Sequence, residues 1–565
     1  MTDSVTDYTL EPQKRIALVA HDNMNDQPPH VLMVAAECRG LAKAGGLGDV
    51  VRDLSKAQTR LGTPVSIVMP CYDQVAHSSR PIASFPVQFG SRDDWQVKVF
   101  TRELDGVTIY LLRSQKFFGG RYGTLYVDSE RLERGAFEDD AMRFAFFSVA
   151  TLEFIRQYPR LRDVNVLHCH DWHTGALLVL LKHDRRYRRL AESLRTLFTI
   201  HNLDYQGTRP FELTGERELL SFSEWFPALY RRLKRTGALT ALSDAHTPIP
   251  CFNPMRAAIN LADSVNTVSP RYATEIIQPD DPARNFIGGR GLEDDLCCAG
   301  KVYGILNGLD YELYDSSKLL PAFDVDLKDW PRIRHQHKIN LLEQLSVHLQ
   351  DIADRSGKDF KNRDSVLNKL AAFRARDWYT KPLVVAVTRA VRQKVSILLE
   401  PLDKSGTVLQ HLLQRDMFLI VLGTGELDEQ LEEINRYPNG LFICAFDANL
   451  ADRLYAGGDL FLMPSDFEPC GISQMIAMRF GCLPVVPNLG GLSDTVQTGK
   501  TGFVYRGVNR QAARRGLIRT LDQALWCYTH DRGKWLAMQA RAMSARFEWT
   551  TAAEKYLELY SGSMR

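Results

Sequence analysis

The sequence predicts an α/β protein in which two doubly wound, parallel-sheet domains stand in tandem and face each other across a deep cleft. Three observations lead there. The chain is 565 residues long, more than one core organises, because single hydrophobic cores stop growing near roughly 250–300 residues. Short β-branched runs bounded by Gly, Pro or Asp alternate with helical patterns, as parallel strands with crossover helices do. These runs fall into two series separated by a stretch that has none. In such sheets ligands bind at the carboxyl ends of the strands.

The first series comprises HVLMVAA (30–36), PVSIVMP (64–70), NVLHCH (165–170), TLFTIHN (196–202), SVNTVS (264–269) and VYGILN (302–307), which assigns residues 29–310 to a first domain. Residues 1–28 read as a polar extension, in which RIALVA (15–20) could add an edge strand. Residues 311–380 read as a helical and charged linker insertion. Within it Ile339, Leu342, Leu345, Leu349 and Ile352 recur at three- and four-residue steps and predict an amphipathic helix. The mixed-charge run DRSGKDFKNRDSVLNK (354–369) predicts a solvated loop or helix. The second series, LVVAVT (383–388), MFLIVLG (417–423), LFICA (441–445), LFLMPS (460–465) and LPVVPN (483–488), assigns residues 381–535 to a second domain. Residues 536–565 include SARFEWTTAAEKYLELY (544–560), an amphipathic terminal helix. No internal repeat is evident.

Hydrophobic residues make up 45% of the chain, charged residues 24% and aromatic residues 10%, which excludes wholesale disorder. Seventy Lys and Arg against 68 Asp and Glu leave a formal charge of +2, so no global field favours nucleic acid or a membrane surface. The opening MTDSVTDYTLEPQKR is not a basic stretch followed by an apolar run, and no apolar run approaches the roughly 20 residues that span a bilayer. A cytoplasmic protein is expected. The ten cysteines are scattered, with only Cys297 and Cys298 adjacent and no structural-zinc spacing; they read as reduced, mostly buried thiols.

After HVLMVAA comes ECRGLAKAGGLGDVVRDLSKAQTRLG, which puts Lys43, Gly45, Gly46 and Gly48 on a strand-to-helix turn. Glycines admit close backbone approach, exposed N–H groups and the helix dipole favour a diphosphate, and Lys43 adds a mobile positive charge. A tight turn needed only for packing explains the glycines equally, since neither GxGxxG nor a Walker loop is matched. Arg389 and Lys394, five residues apart, lie just beyond LVVAVT, where a fixed guanidinium fork and a movable ammonium suit a departing diphosphate. Alone, they are also what a solvated helix start looks like. Glu468 stands in DFEPCG between a strand and a helical pattern, and His201 follows TLFTI, where it reads either as a site residue or as a satisfied core histidine. Asp171 and Asp49 are open to reading as helix caps.

KAGGLGDV (43–50) resembles the KxGGLxDV signature of bacterial glycogen synthases and plant starch synthases. HCHDWHTGALL (168–178), TIHNLDYQG (199–207), NTVSPRYATEI (266–276), GILNGLD (304–310), DLFLMPSDFEPCGISQMIAMRFGCLPVV (459–486) and GGLSDTV (490–496) are similar to further motifs of that family, in its order, across roughly residues 30–560. The resemblance implies a GT-B architecture of two Rossmann-like domains. It implies a retaining glucosyltransferase that moves glucose from ADP-glucose, or another nucleotide sugar, to the non-reducing end of an α-1,4-glucan.

The resemblance further implies that Arg389 and Lys394 contact the donor diphosphate, that Glu468 is the essential acidic group against the donor sugar, and that His201 lies against the glucosyl ring. Asp171 would help hold His201 or sugar hydroxyls, and Asp49 and the Lys43–Gly45–Gly46 turn would lie toward the acceptor and diphosphate. Asn202, Asn253, Gly423, Phe446, Cys470 and Gly471 complete the expected binding residues, Phe446 near the base. No obligatory cofactor or metal is expected, because two cationic side chains can serve the charge that magnesium serves elsewhere. The terminal helix is expected to cross back to the first domain, making a hinge that closes the cleft. The oligomeric state is left open.

The chain departs from the family pattern in its second domain. Val395 replaces a glycine after the site lysine, Asp466 stands where a basic residue is usual, Pro487 and Ser473 are exchanges, and Phe446 stands where Tyr is common. Val395 could crowd a phosphate, and Asp466 could weaken donor binding if it faced the ligand. These changes keep a second expectation alive, a non-catalytic glucan-binding paralogue or a transferase with a changed donor. Joint retention of Lys43, His201, Arg389, Lys394 and Glu468 favours the active enzyme.

Overall fold

The computed structural model describes residues 29–126, 138–213, 219–244, 246–314, 329–356, 360–371 and 373–563. RIALVA (15–20) lies outside them. In the first half the chain forms β1 (Val31–Val34), β2 (Val65–Pro70), β3 (Ala83–Phe89), β4 (Arg92–Leu104), β5 (Val107–Arg113), β6 (Val166–His170), β7 (Arg195–Ile200), the short pair β8 (Arg209–Pro210) and β9 (Cys251–Phe252), β10 (Ser264–Thr267) and β11 (Tyr303–Gly304). Among the described residues these build a nine-stranded sheet in the order β11-β10-β7-β6-β1-β2-β5-β4-β3. It is parallel except at one edge, where β4 runs antiparallel to both β5 and β3. That edge departs from the expected all-parallel sheet. β3 and β4 alternate buried and exposed residues, as half-wet antiparallel strands do, and lack the continuous apolar run of a central parallel strand.

The second half forms β12 (Leu383–Val387), the hairpin β13 (Pro401–Asp403) and β14 (Gly406–Thr407), β15 (Phe418–Leu422), β16 (Gly440–Ile443), β17 (Leu460–Leu462), β18 (Leu483–Pro487) and β19 (Phe503–Tyr505). Its main sheet is parallel, in the order β16-β15-β12-β17-β18-β19. In both sheets the strand order reverses beside the first strand: β1 lies between β2 and β6, and β12 between β15 and β17. Loops leaving such neighbours diverge to opposite faces and leave a crevice at the strand ends.

The segment between the sheets is part of the second core. The helix Trp330–Ser356 buries Leu342, Leu345, Leu349 and Ile352 there. The mixed-charge run is less solvated than its composition suggests. Phe360 and Val366 are buried in the same core, and the Asn362 side chain accepts the Cys444 N–H at 2.9 Å and donates to the Phe442 carbonyl at 2.9 Å. Two apolar residues among charges are enough to anchor it. Eight of the ten cysteines are buried, none is paired, and Cys297 and Cys298 are exposed. Among the described residues no helix is long and apolar enough to cross a membrane.

The last helix, Trp549–Ser561, returns to the first sheet. Trp549, Ala553, Tyr556 and Tyr560 join the first core, whereas Trp535 and Met538 of the preceding helix Arg532–Ser544 belong to the second. The two crossings run side by side, with the Leu309 N–H donating to the Phe547 carbonyl at 2.8 Å. Polar contacts fix the docking. The Tyr560 hydroxyl lies 2.8 Å from His168 Nδ1 and accepts Gln58 Nε2 at 3.0 Å, and Asn266 Nδ2 donates to the Tyr556 hydroxyl at 3.0 Å. Removing the first hydroxyl orphans two buried groups, which costs about 1–3 kcal/mol. Tyr560→Phe is therefore expected to lower the denaturant midpoint without changing the fold; an unchanged midpoint would remove this hydroxyl from the account of helix docking.

Candidate active site

Arg389 leaves the end of β12, Lys394 sits on the helix Arg392–Leu399 that follows, and Glu468 follows the adjacent β17. The ammonium of Lys394 pairs with Glu468 Oε2, and the two side chains are only 14% and 9% exposed. The Ser465 hydroxyl donates to the same oxygen at 3.3 Å. Removing one partner of a buried pair leaves an uncompensated charge, at about 3–5 kcal/mol. The Arg389 side chain, by contrast, is exposed and makes no hydrogen bond or ion pair with the described residues. It faces Asp204 of the first domain, whose carboxyl is raised by burial and pulled back by Arg290 and then Arg389.

The backbone of Glu468 is seated against Gly490 and Gly491. The Gly491 N–H donates to the Glu468 carbonyl at 3.1 Å, and a Cβ at Gly490, whose φ is +42°, would stand 2.0 Å from that carbonyl oxygen. Gly423, at the end of β15, is equally constrained, since a Cβ there would lie 1.7 Å from the Thr388 carbonyl oxygen. Phe446, beyond the end of β16, is 87% exposed. Arg389, Gly423, Phe446 and Glu468 thus line the carboxyl ends of four neighbouring strands.

Across the cleft the glycine turn follows β1. Lys43 pairs with Asp49 at 2.6 Å, and Arg39 joins Asp49 (3.1 Å), Asp53 and Asp310 (3.1 Å). Asp49 is an ion-pair partner and not a helix cap; the cap position belongs to Gly45. The turn is not an open anion cradle as expected, because the Ala44 and Gly45 N–H groups donate to Glu37 Oε2 at 2.8 and 2.9 Å. A Cβ on Gly46 would come 3.9 Å from Ile472 Cδ1, so the turn stands opposite Cys470 and Gly471 of the second domain. Cys470 is a buried thiol pushed up to about 12 by burial and stays protonated.

His201 lies at the end of β7, 3.0 Å from His170 Nδ1 through its Nε2. Asp171 has a φ of +58° and turns its carboxylate to the His201 N–H at 3.2 Å instead of capping the following turn. Burial raises the Asp171 carboxyl to about 8 and lowers both His201 and His173 to about 3; His168 and His170 are also lowered by burial. His201 is therefore a neutral imidazole near pH 7. Asn202 accepts the Asp204 N–H at 2.9 Å through its side-chain oxygen. Asn253 is a buried helix cap, accepting the Arg256 N–H at 2.9 Å and donating to Gln206 at 2.6 Å.

Of the departures from the family pattern, Phe446 stands at the strand ends described above, and the others make their contacts within the second domain. Val395 is 1% exposed and packs in the second core, about 100° around its helix from Lys394. Asp466 is partly buried: it pairs with Arg510 and accepts the Ser396 hydroxyl at 2.7 Å. Pro487 is buried at the end of β18, and Ser473 opens the helix Ser473–Arg479. Reading the sequence missed Glu37, His170 and Asp204. Only Glu37 carried a signal, as an acid at the mouth of the glycine turn.

A histidine buried neutral contributes stability that is full above its unfolded value near about 6.5 and is lost as pH falls toward its folded value. Asp171 has the opposite sign, its contribution being lost as pH rises through about 8. Wild type is expected to lose more stability than His201→Gln on acidification from about pH 7 to about pH 5. Parallel melting curves over that window would contradict the burial of a neutral imidazole.

Residues 30–297 match the family model for the starch synthase catalytic domain, and residues 381–523 match that for glycosyl transferases group 1. The chain is 34% identical to the glycogen synthase of Streptococcus gordonii over 549 residues, 94% of this chain and 99% of the relative. It is 33% identical to that of Clostridioides difficile over 552 residues, 94% of this chain and 98% of the relative. Among solved structures, the catalytic domain of starch synthase IV from Arabidopsis thaliana, bound to ADP and acarbose, has a TM-score of 0.71 at 28% identity, covering 95% of this chain and all of that one. Two Rossmann-like sheets whose reversal points face one cleft, with these matches along nearly the whole length, place the chain in the glycogen and starch synthase family of GT-B glucosyltransferases.

Proposed function

We propose that the protein transfers glucose from ADP-glucose to the non-reducing end of an α-1,4-glucan, with retention of configuration, without an obligatory metal, and in the cytoplasm. The observation that carries this reading is the Lys394–Glu468 pair beside an exposed, unpaired Arg389 at the reversal point of the second sheet. A transfer that expels a diphosphate needs cations at the leaving group and an anion near the sugar that becomes positive. This cluster supplies both. The ADP bound to the related starch synthase IV supports adenosine diphosphate as the leaving group.

In this reading the donor diphosphate lies between Arg389 and Lys394. Lys394 then turns from Glu468 to the phosphate, and Glu468 is freed to accept hydrogen bonds from the donor sugar as it gains oxocarbenium character. Neutral His201, held by Asp171 and His170, meets the glucosyl ring as a hydrogen-bonding group. Departure and attack occur on one face, and the leaving phosphate takes the acceptor proton, so no separate base is required. Lys43 and Asp49 face the incoming acceptor. Phe446 offers a stacking surface to the base beside Gly423, and an aromatic ring 87% exposed is consistent with that use.

Radiolabelled glucose from ADP-glucose is expected to appear in glycogen or maltooligosaccharides in the presence of a chelator, and to vanish with Glu468→Ala. Arg389→Ala is expected to lower kcat/KM about 100-fold or more, as loss of a preorganised charge contact does. Transfer from UDP-glucose, measured in parallel, names the base. No label from either donor, with the protein folded, would overturn the reading.

A further inference from the structure

The helix Pro270–Glu275 belongs to the first domain, yet groups along it hold the loops that seat Glu468. At its start the Ser269 hydroxyl donates to the Pro469 carbonyl at 2.5 Å, and the Arg271 N–H donates to Asp494 Oδ2 at 2.9 Å. At its end the Glu275 carboxylate, 6% exposed, accepts the Gly490 N–H at 3.2 and 3.0 Å through its two oxygens. Arg271 Nε steadies that carboxylate from one turn back at 2.8 Å. The turn it grips lies directly on the acidic loop, because Gly491 N–H donates to the Glu468 carbonyl at 3.1 Å. A Cβ on Gly491 would stand 2.3 Å from the Cys470 carbonyl oxygen. Such close backbone packing transmits a displacement of the turn to residues 468–470.

We infer that Glu275 is a positioning residue for the transfer reaction: a first-domain carboxylate that fixes the Gly490–Gly491 turn and, through it, the backbone from which Glu468 reaches the donor sugar. The inference rests on the role of Glu468 proposed above. It ties the relative placement of the two domains to the seating of the acidic group, since Glu275 and Ser269 ride on one domain and Glu468 on the other. Reach matters here more than charge, because a single backbone N–H is the group being held.

Two substitutions separate reach from charge. Glu275→Asp keeps the charge and withdraws the oxygens by one methylene, whereas Glu275→Gln keeps an acceptor in place and removes the charge. Glu275→Asp is expected to lower kcat about 10- to 100-fold with donor KM little changed, and Glu275→Gln to stay within about threefold of wild type. Ser269→Ala, which removes the hydroxyl that holds the Pro469 carbonyl and caps the other end of the helix, is expected to lower kcat in the same direction. Melting temperatures of all three are measured alongside. A Glu275→Asp enzyme as fast as wild type, a Glu275→Gln enzyme slower than Glu275→Asp, or losses that track melting temperature alone would overturn the inference while an inactive Glu468→Ala leaves the site intact. An active Glu468→Ala would instead overturn the site reading on which it rests.

Discussion

Lys394 and Glu468 occupy one largely buried position at the mouth of the second sheet, and neither charge is tolerable there without a partner. Their side chains come from sequence positions 74 residues apart. What joins them is the parallel pairing of β12 and β17, which delivers both loops to the same crevice. The buried pair constrains its surroundings: Ser465 fills one lone pair of the carboxylate, glycines at 490 and 491 let another loop pack on the Glu468 backbone, and Val395 points away into the core. A ligand that carries phosphate can replace the carboxylate as the partner of Lys394. In the proposed reaction, exchange of one anion for another would make binding of the donor and release of the acidic group a single event.

The first domain shows the same economy of charge. The KAGG turn would expose unpaired amides and a cation, but Glu37 takes two N–H groups and Asp49 takes Lys43. Arg39 shares Asp49 and collects two further acids, Asp53 and Asp310, around the helix start. Among the described residues these cleft charges are therefore paired with one another, whereas the Arg389 side chain is exposed and unpaired. Asp466, an acid where the family usually has a base, follows the same pattern: Arg510 and Ser396 pair with it within the second domain.

Much of this was legible in the sequence, and the remainder was hidden for definable reasons. Central parallel strands such as Leu383–Val387 and Phe418–Leu422 are buried on both faces and announce themselves as apolar runs. The edge strands Ala83–Phe89 and Arg92–Leu104 alternate polar and apolar residues and do not. The family motifs located the Arg389, Lys394 and Glu468 loops, which residue type and strand-to-helix context alone left open. They could not reveal that Asn253 is a cap or that Glu37 fills the glycine turn, because a side chain's partner depends on elements far away in the chain. Phe360 and Val366 were lost among charges for a related reason: composition over a window averages away the two residues that reach the core.

The central claim is that Lys394 serves the donor diphosphate and that Glu468 holds it until the donor arrives. Titration calorimetry of ADP against wild type, Lys394→Met, Glu468→Gln and the double variant tests this directly. The account predicts that Lys394→Met weakens ADP at least about tenfold, as loss of a buried charge contact should. It predicts that Glu468→Gln binds ADP as tightly as wild type or more tightly, because the competing carboxylate is gone. ADP affinity that falls equally in Glu468→Gln and Lys394→Met, or that is unchanged in Lys394→Met, would contradict it.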